Sequence, residues 1–158
     1  MRSGHTPSQA PAIDPTWKIG IVFSSFYTEE IGALVEGAKE ALVAAGVDPA
    51  HITEHAAAGS FEIPLIGSIL ASEGKVDALI ALGIIVEGET QHARLLATEV
   101  ARGIMDVQLQ YQIPFAFEVL YVNSLEQAKA RSSGADNKGA EAAHAVLHSL
   151  AEIRKLRS

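Results

Sequence analysis

Four strand-length segments alternate along the chain with segments whose apolar residues have helical spacing. The strand segments are residues 18–23, 52–57, 76–86 and 115–122. The third segment has no polar side chain apart from Asp77, and its polar and apolar positions do not alternate. This pattern is typical of a strand in the middle of a parallel sheet, where both faces are buried.

Between these strands, apolar residues recur at every third or fourth position, as they do on the buried face of a helix. Thr28 is predicted to cap the first helix, and Pro64 fits the first turn of the second. Later helices are predicted at residues 91–111, at 125–131 after a cap at Ser124, and at 139–157. The predicted buried stripe of the long third helix contains Leu95, Leu96, Val100, Ile104 and Val107.

The order β-α-β-α-β-α-β-α-α with short connections predicts right-handed crossovers and a single parallel sheet. We therefore predict an α/β fold over residues 17–158, a flavodoxin-like three-layer α/β/α sandwich with a four-stranded parallel sheet. Residues 1–16 contain several prolines and few large apolar side chains, which predicts a flexible N-terminal arm. In this class of fold, ligands bind beyond the carboxyl ends of the strands.

The composition argues against several classes of function. A formal net charge of −7 without a Lys or Arg tract would repel a nucleic-acid backbone. The chain has no cysteine, which removes disulfides, thiolate metal sites and cysteine nucleophiles. Because no apolar run is long enough to cross a membrane and no signal peptide is recognisable, we expect a soluble, cytoplasmic protein without a membrane partner.

Two pairs of histidines have a four-residue spacing that can suit metal ligands. His51 and His55 fall on a predicted strand, where four residues span about 13 Å, which is too far for one ion. His144 and His148 share one face of the last helix and could hold zinc. A solvated face or a subunit contact explains that pair more simply, so we predict no metal centre.

The clearest chemical signal follows the third strand. Gly88 permits a tight turn, Thr90 can cap the next helix, and His92 falls in its first turn. Free N–H groups at such a turn can bind an anion. A histidine at the positive end of a helix stays neutral more readily and can act as a base. The alternative is a purely structural turn and cap with an exposed histidine.

Three segments, in this order and at these separations, resemble the 6,7-dimethyl-8-ribityllumazine synthase family. They are Gly59-Ser-Phe-Glu-Ile-Pro64, Gly88-Glu-Thr-Gln-His92 and Asn137-Lys-Gly139, and the resemblance covers residues 18–156. It implies a transferase of riboflavin biosynthesis that condenses 5-amino-6-(D-ribitylamino)uracil with 3,4-dihydroxy-2-butanone 4-phosphate. Phosphate and water are released, and neither a metal nor an organic cofactor takes part.

The resemblance also implies roles for individual residues. His92 is the catalytic residue that shuttles protons during imine formation and phosphate elimination. The substrate-binding residues are Phe26, Ser60, Phe61, Glu62, Ile84, Ile85, Val86, Glu89, Thr90, Phe117 and Arg131. Phe26 stacks on the pyrimidine, residues 60–62 hold the ribityl chain, and residues 84–86 flank the heterocycle.

The implied phosphate site uses Glu89 and Thr90, with Arg131 supplying positive charge. Phe117 and Arg131 come from the adjacent chain, because members of this family build their sites between the subunits of a homopentamer. A sixty-subunit icosahedral shell is a further implied possibility.

Some positions depart from the family pattern. Ala93 and Arg94 follow His92, where an aromatic residue and Asp are common, so a carboxylate that would orient the imidazole is missing. Glu87 replaces a frequent basic residue, and Glu118 replaces a frequent glycine. These departures motivate an alternative, a non-catalytic relative that binds a flavin-like ligand or forms a shell. A third hypothesis is the related archaeal-type riboflavin synthase, which dismutates the lumazine itself.

Overall fold

Strands and helices alternate in the computed structural model, which describes residues 11–158. The strands are β1 (Ile19–Ser24), β2 (Ile52–Ala57), β3 (Ala78–Val86) and β4 (Phe115–Val122). The α-helices are α1 (Thr28–Ala45), α2 (Ile63–Ser72), α3 (His92–Tyr111), α4 (Leu125–Arg131) and α5 (Lys138–Arg157). Most of the predicted arm, residues 1–10, lies outside the described residues. Its last residues contact the domain, because Arg154 Nη2 donates to the carbonyl oxygen of Ala12 at 3.0 Å.

The four strands form one parallel sheet in the order β2-β1-β3-β4. The predicted α/β sandwich with a four-stranded parallel sheet is therefore confirmed. β3 is buried along its whole length except at Val86, as its apolar sequence predicts. One apolar core joins the sheet to α1 and α5, and a second core joins the opposite face to α2 and α3.

Two local predictions about the helices were wrong. Thr28 is the first residue of α1 and not its cap. The cap position is Tyr27, which has a left-handed backbone with φ 54° and whose side chain makes no cap hydrogen bond. Leu95 is 63% exposed, whereas Val100, Ile104 and Val107 are buried. Successive residues of a helix are rotated by about 100° from each other. Leu95 therefore points into solvent, while its neighbour Leu96 is half-buried against the core.

Asn137 fastens the start of α5 to α1, a role that the sequence patterns did not indicate. Its Oδ1 accepts hydrogen bonds from the N–H groups of Gly139 at 2.8 Å and Ala140 at 3.2 Å. Its Nδ2 donates to the carbonyl oxygens of Ala33 at 3.0 Å and Ser132 at 2.9 Å. One side chain therefore caps α5 and also links it to two other segments.

Replacing Asn137 tests this structural role. Asn137→Ala removes a helix cap and two partly buried donated bonds, so we expect a loss of about 2–4 kcal/mol in the free energy of unfolding. Asn137→Ser keeps a capping oxygen and loses only the donated bonds, so its loss should be roughly half as large. Chemical denaturation of the three proteins measures both values. Equal stability of Asn137→Ala and the parent would contradict this account.

Candidate active site

The loops that follow β1, β2 and β3 meet at the carboxyl edge of the sheet. Ser25 Oγ, after β1, donates a hydrogen bond to the carbonyl oxygen of Ala57, the last residue of β2, at 2.6 Å. The Phe26 N–H donates to Ser24 Oγ at 3.2 Å. These bonds hold the first loop against the second, and they fix the direction in which the chain leaves β1.

The ring of Phe26 lies over the backbone of Gly59. A Cβ atom added to Gly59 would be 3.3 Å from Phe26 Cε2 and 3.9 Å from Glu62 Oε2. Phe26 is nevertheless 63% exposed, and the neighbouring Phe61 is 66% exposed. The site thus presents two aromatic rings that the domain itself does not cover, which suits stacking on a planar ligand.

A single 3-10 turn at Ser60–Glu62 carries the second group of predicted residues. Ser60 is buried against β3, where a Cβ added to Gly83 would be only 2.6 Å from Ser60 Oγ and 3.1 Å from Val119 Cγ1. The absence of a side chain at Gly83 therefore makes room for Ser60. The loop after β2 is in this way set against the central strand.

Glu62 has a polar atom without a partner. Its Oε2 is buried and accepts no hydrogen bond from any residue in the described part of the chain. A buried acceptor that loses water and gains no donor is costly. This oxygen lies beside Gly59 and Phe26, so a ligand that stacks on Phe26 and carries hydroxyl or N–H groups would satisfy it.

The turn after β3 forms one side of a cleft of about 570 Å³. The cleft is lined by Glu87, Gly88, Glu89, Thr90, Gln91, Arg94 and Tyr121. Thr90 Oγ1 accepts a hydrogen bond from the His92 N–H at 3.3 Å, but the prediction that Thr90 caps the helix was wrong, because Thr90 precedes the cap position and bonds to the first helical residue. The cap position by backbone geometry is Gln91, and α3 begins at His92.

His92 is exposed at the first position of α3. Gln91 and Arg94 line the cleft, but His92 itself does not. Ala93 is buried beneath this first turn, so the helix start is anchored in the core. The imidazole is thus accessible to a ligand, while the described chain offers no carboxylate hydrogen bond that would orient it.

Residues 84–86 lie inside the sheet. Ile84 belongs to the core beside α1 and α5, and Ile85 belongs to the core beside α2 and α3. Val86 is half-buried and ends the strand. These three residues precede the turn, and none of them lines the cleft.

Phe117 and Arg131 do not join the other residues within one chain. Phe117 is paired in register with Ala81, five positions before Val86, which corresponds to roughly 16 Å along the strand. Arg131 ends α4, where its Nη1 donates to the carbonyl oxygen of Gln127 at 3.0 Å. Neither residue lines the cleft beside the turn.

Glu118, Lys138 and Glu141 form a charged cluster beside β4 that the sequence patterns did not indicate. The pKa of Glu118 is raised to about 7, chiefly by burial and also by the nearby charge of Glu141, while Lys138 opposes the increase. Lys138 Nζ lies 2.8 Å from Glu141 Oε2, and this hydrogen bond raises the pKa of Lys138. The available signal was strand alternation, because Ala116, Leu120 and Glu118 share the face that packs toward α5.

Residues 11–158 contain no group of three or more His, Asp or Glu side chains arranged to hold a metal ion. The two histidines of the first pair lie in different elements: His51 ends a 3-10 turn, and His55 is on β2. His144 and His148 are exposed on α5. None of the described helices is both long enough and apolar enough to span a bilayer.

Comparison with known proteins gives a family match over nearly the whole domain. The family model described as 6,7-dimethyl-8-ribityllumazine synthase matches residues 16–154. Among solved structures, a de novo designed Rossmann fold protein is similar at 12% identity, covering 72% of this chain and 91% of that chain, with a TM-score of 0.39. The structural match is too weak to support a conclusion, whereas the family match includes every loop described above.

The raised pKa of Glu118 makes stability depend on pH. Because the folded state holds the proton more tightly than the unfolded state, the contribution of Glu118 to stability is greatest below the ordinary pKa of 4.5 and is lost as pH rises toward 7. Glu118→Gln should therefore stabilise the protein by roughly 2 kcal/mol at about pH 8, with little effect in acid. Melting curves at both pH values measure this difference.

Glu40→Gln, which replaces an exposed carboxylate of α1, is the matched control and should not change the pH dependence. If the melting temperatures of the parent and Glu118→Gln change with pH in the same way, the fold does not hold Glu118 in its protonated form.

Proposed function

Because this chain belongs to the 6,7-dimethyl-8-ribityllumazine synthase family, we propose that it catalyses the family reaction. It condenses 5-amino-6-(D-ribitylamino)uracil with 3,4-dihydroxy-2-butanone 4-phosphate and releases phosphate and water. The observation that carries the proposal is the family match over residues 16–154, which includes all three loops at the carboxyl edge of the sheet. The product is 6,7-dimethyl-8-ribityllumazine, a precursor of riboflavin, and the proposed location is the cytoplasm.

The pyrimidine substrate fits the group of residues after β1 and β2. Phe26 offers an exposed ring for stacking on the uracil, and the unpartnered Oε2 of Glu62 can accept a hydrogen bond from a ribityl hydroxyl. Ser60 and Phe61 belong to the same 3-10 turn and complete this part of the proposed site.

The butanone phosphate fits the turn after β3. The backbone of Glu89 and Thr90 lines the cleft at the start of α3, where N–H groups and the helix dipole favour an anion. Arg131 of an adjacent chain supplies a further positive charge in the proposed assembly. Residues 84–86 end the strand before this turn and are proposed to flank the heterocycle.

His92 is proposed to move protons between the two substrates. The pyrimidine amine attacks the ketone, and loss of water from the adduct gives an imine. Removal of a proton from the adjacent carbon then allows the carbon–oxygen bond to the phosphate to break. Ring closure with loss of water completes the heterocycle. No metal or organic cofactor is needed, since the imine itself accepts the electron pair.

A homopentamer is the proposed functional unit, possible also as the building block of a sixty-subunit shell. Phe117 and Arg131 lie away from the cleft of their own chain, so a complete site needs a second copy. The outer sides of α2 and α3 supply exposed apolar surface for such contacts. This surface includes Leu65, Ile69, Leu95 and Leu109.

A non-catalytic relative is the second candidate, and the residues after His92 favour it. Ala93 is buried and Arg94 carries the wrong charge to orient the imidazole as a carboxylate would. In that case a ribityl-pyrimidine would bind without turnover. An assay that offers both substrates, and a second that offers the lumazine alone, distinguishes the synthase from this relative and from a riboflavin synthase.

His92→Ala tests the proton-transfer role. We expect formation of the fluorescent lumazine to slow by about 10²- to 10⁴-fold, the usual contribution of a general acid–base group, with little change in pyrimidine affinity. Steady-state fluorescence measures the rate, and calorimetry with the pyrimidine measures affinity. His148→Ala, which changes an exposed histidine on α5, is the control. An unchanged rate in His92→Ala would exclude the role.

Complementation tests whether two chains share the site. His92→Ala and Arg131→Ala homo-oligomers should each be slow, whereas random co-assembly should restore about a quarter of parental activity, because one interface in four then contains both native residues. Subunits are mixed by joint refolding and assayed at equal total concentration. Co-assembled variants that stay as inactive as each parent variant would place both residues in a single-chain site.

A further inference from the structure

We propose that Arg94 is an additional phosphate-binding residue, contributed by the same chain as the turn after β3. This inference rests on the proposed function and deepens it. It gives each site a cation that does not depend on the neighbouring subunit, beside the one that Arg131 supplies from the adjacent chain.

The first argument is the position of Arg94. Its side chain lines the cleft of about 570 Å³ together with the turn residues 87–91 and Tyr121. No carboxylate among residues 11–158 lies within 4.0 Å of its guanidinium, although Glu87 and Glu89 line the same cleft. Arg94 therefore faces the cleft as a cation whose five donors are not taken up by an ion pair.

The second argument is electrostatic. Arg94 is the third residue of α3, a helix of 20 residues whose first turn contains no acidic residue. A cation at this end opposes the helix dipole, whereas α1, α4 and α5 carry Glu29, Glu126 and Glu141 in their first turns. The first turn of α2 also lacks an acidic residue, but it carries no cation either. An anion in the cleft converts this unfavourable placement into a favourable one, because it interacts with the dipole and the guanidinium together.

The third argument is the supply of donors around the cation. The His92 N–H is used by Thr90 Oγ1, and the Leu95 N–H begins the backbone ladder by donating to the Gln91 carbonyl oxygen at 3.0 Å. Within the described chain, the N–H groups of Ala93 and Arg94 have no hydrogen-bond partner. A planar guanidinium beside such groups matches the oxygens of a phosphate monoester, which it can bind through two parallel bonds.

The consequence concerns the phosphate substrate and the phosphate product alike. A guanidinium in the cleft holds the butanone phosphate before elimination and stabilises the phosphate group as its bond to carbon breaks. It also retains inorganic phosphate afterwards. Arg94 should therefore affect the KM for the butanone phosphate and inhibition by inorganic phosphate, but not the KM for the pyrimidine.

The experiment compares the assembled parent protein with Arg94→Gln, Arg94→Lys and Arg102→Gln. Arg102 is an exposed arginine two turns farther along α3, where it pairs with Glu99 at 3.6 Å, so its variant controls for net charge. Calorimetry with inorganic phosphate gives the Kd, and the lumazine assay gives both KM values. Melting without phosphate shows whether each variant folds.

We expect Arg94→Gln to weaken inorganic phosphate binding and to raise the KM for the butanone phosphate, each by roughly tenfold. Arg94→Lys should lose less, about threefold, because it keeps the charge but not the fork. Arg102→Gln should match the parent. Without phosphate, Arg94→Gln should melt no lower than the parent, since it removes an unfavourable dipole interaction.

The proposal is overturned if the parent does not bind inorganic phosphate, if Arg94→Gln binds it as tightly as the parent, or if Arg102→Gln weakens binding equally. The fate of the proposed function is read separately. A parent that makes no lumazine, but loses phosphate affinity only on Arg94→Gln, refutes the synthase and supports the anion site. An active parent with unchanged phosphate affinity in Arg94→Gln supports the synthase and refutes the anion site at Arg94.

Discussion

The burial of β3 on both faces is the constraint on which the rest of the structure depends. Eight of its nine residues are buried, and neighbouring parallel strands use its backbone groups on both sides. Polar chemistry therefore has no place along the strand and is displaced to its carboxyl end. At Gly83 the strand gives up a side chain, and the space is taken by Ser60 from the loop after β2. The central strand thereby positions the loop after β2 as well as the turn that follows β3.

The same constraint explains why β4 behaves differently. As an edge strand it has one paired side only, and its polar positions reach partly into solvent. Glu118 nevertheless packs toward α5, so its carboxyl is desolvated and retains its proton to higher pH. Lys138 and Glu141 form an ion pair nearby, which leaves Glu118 only weak compensation. β4 therefore carries a carboxyl group with a pKa of about 7 at the residue that follows Phe117.

The sequence predicted the elements better than their contacts. Strand order in the chain, β3 and the Ser124 cap of α4 follow from periodicity and local chemistry, which depend on neighbouring residues. The errors at Thr28 and Leu95 arose because tertiary contacts decide the entry angle of α1 and the rotation of α3. The turn before His92 was predictable. The unpartnered oxygen of Glu62 and the cleft-facing Arg94 were not, since both depend on packing between distant segments.

In the proposed homopentamer, the distance between Phe117 and the end of β3 within one chain is the reason that a second chain takes part in the site. Phe117 on β4 lies roughly 16 Å along the sheet from the end of β3. Its ring cannot reach a ligand held at that end of the same chain, because the paired strands keep this distance fixed. The exposed rings of Phe26 and Phe61 likewise lack a cover in their own chain. A second copy that covers these rings would exclude water from the ligand and bring its own strand edge to the cleft. In the proposed assembly, the faces of the sheet stabilise the fold, while its carboxyl edge binds the ligand together with a second chain.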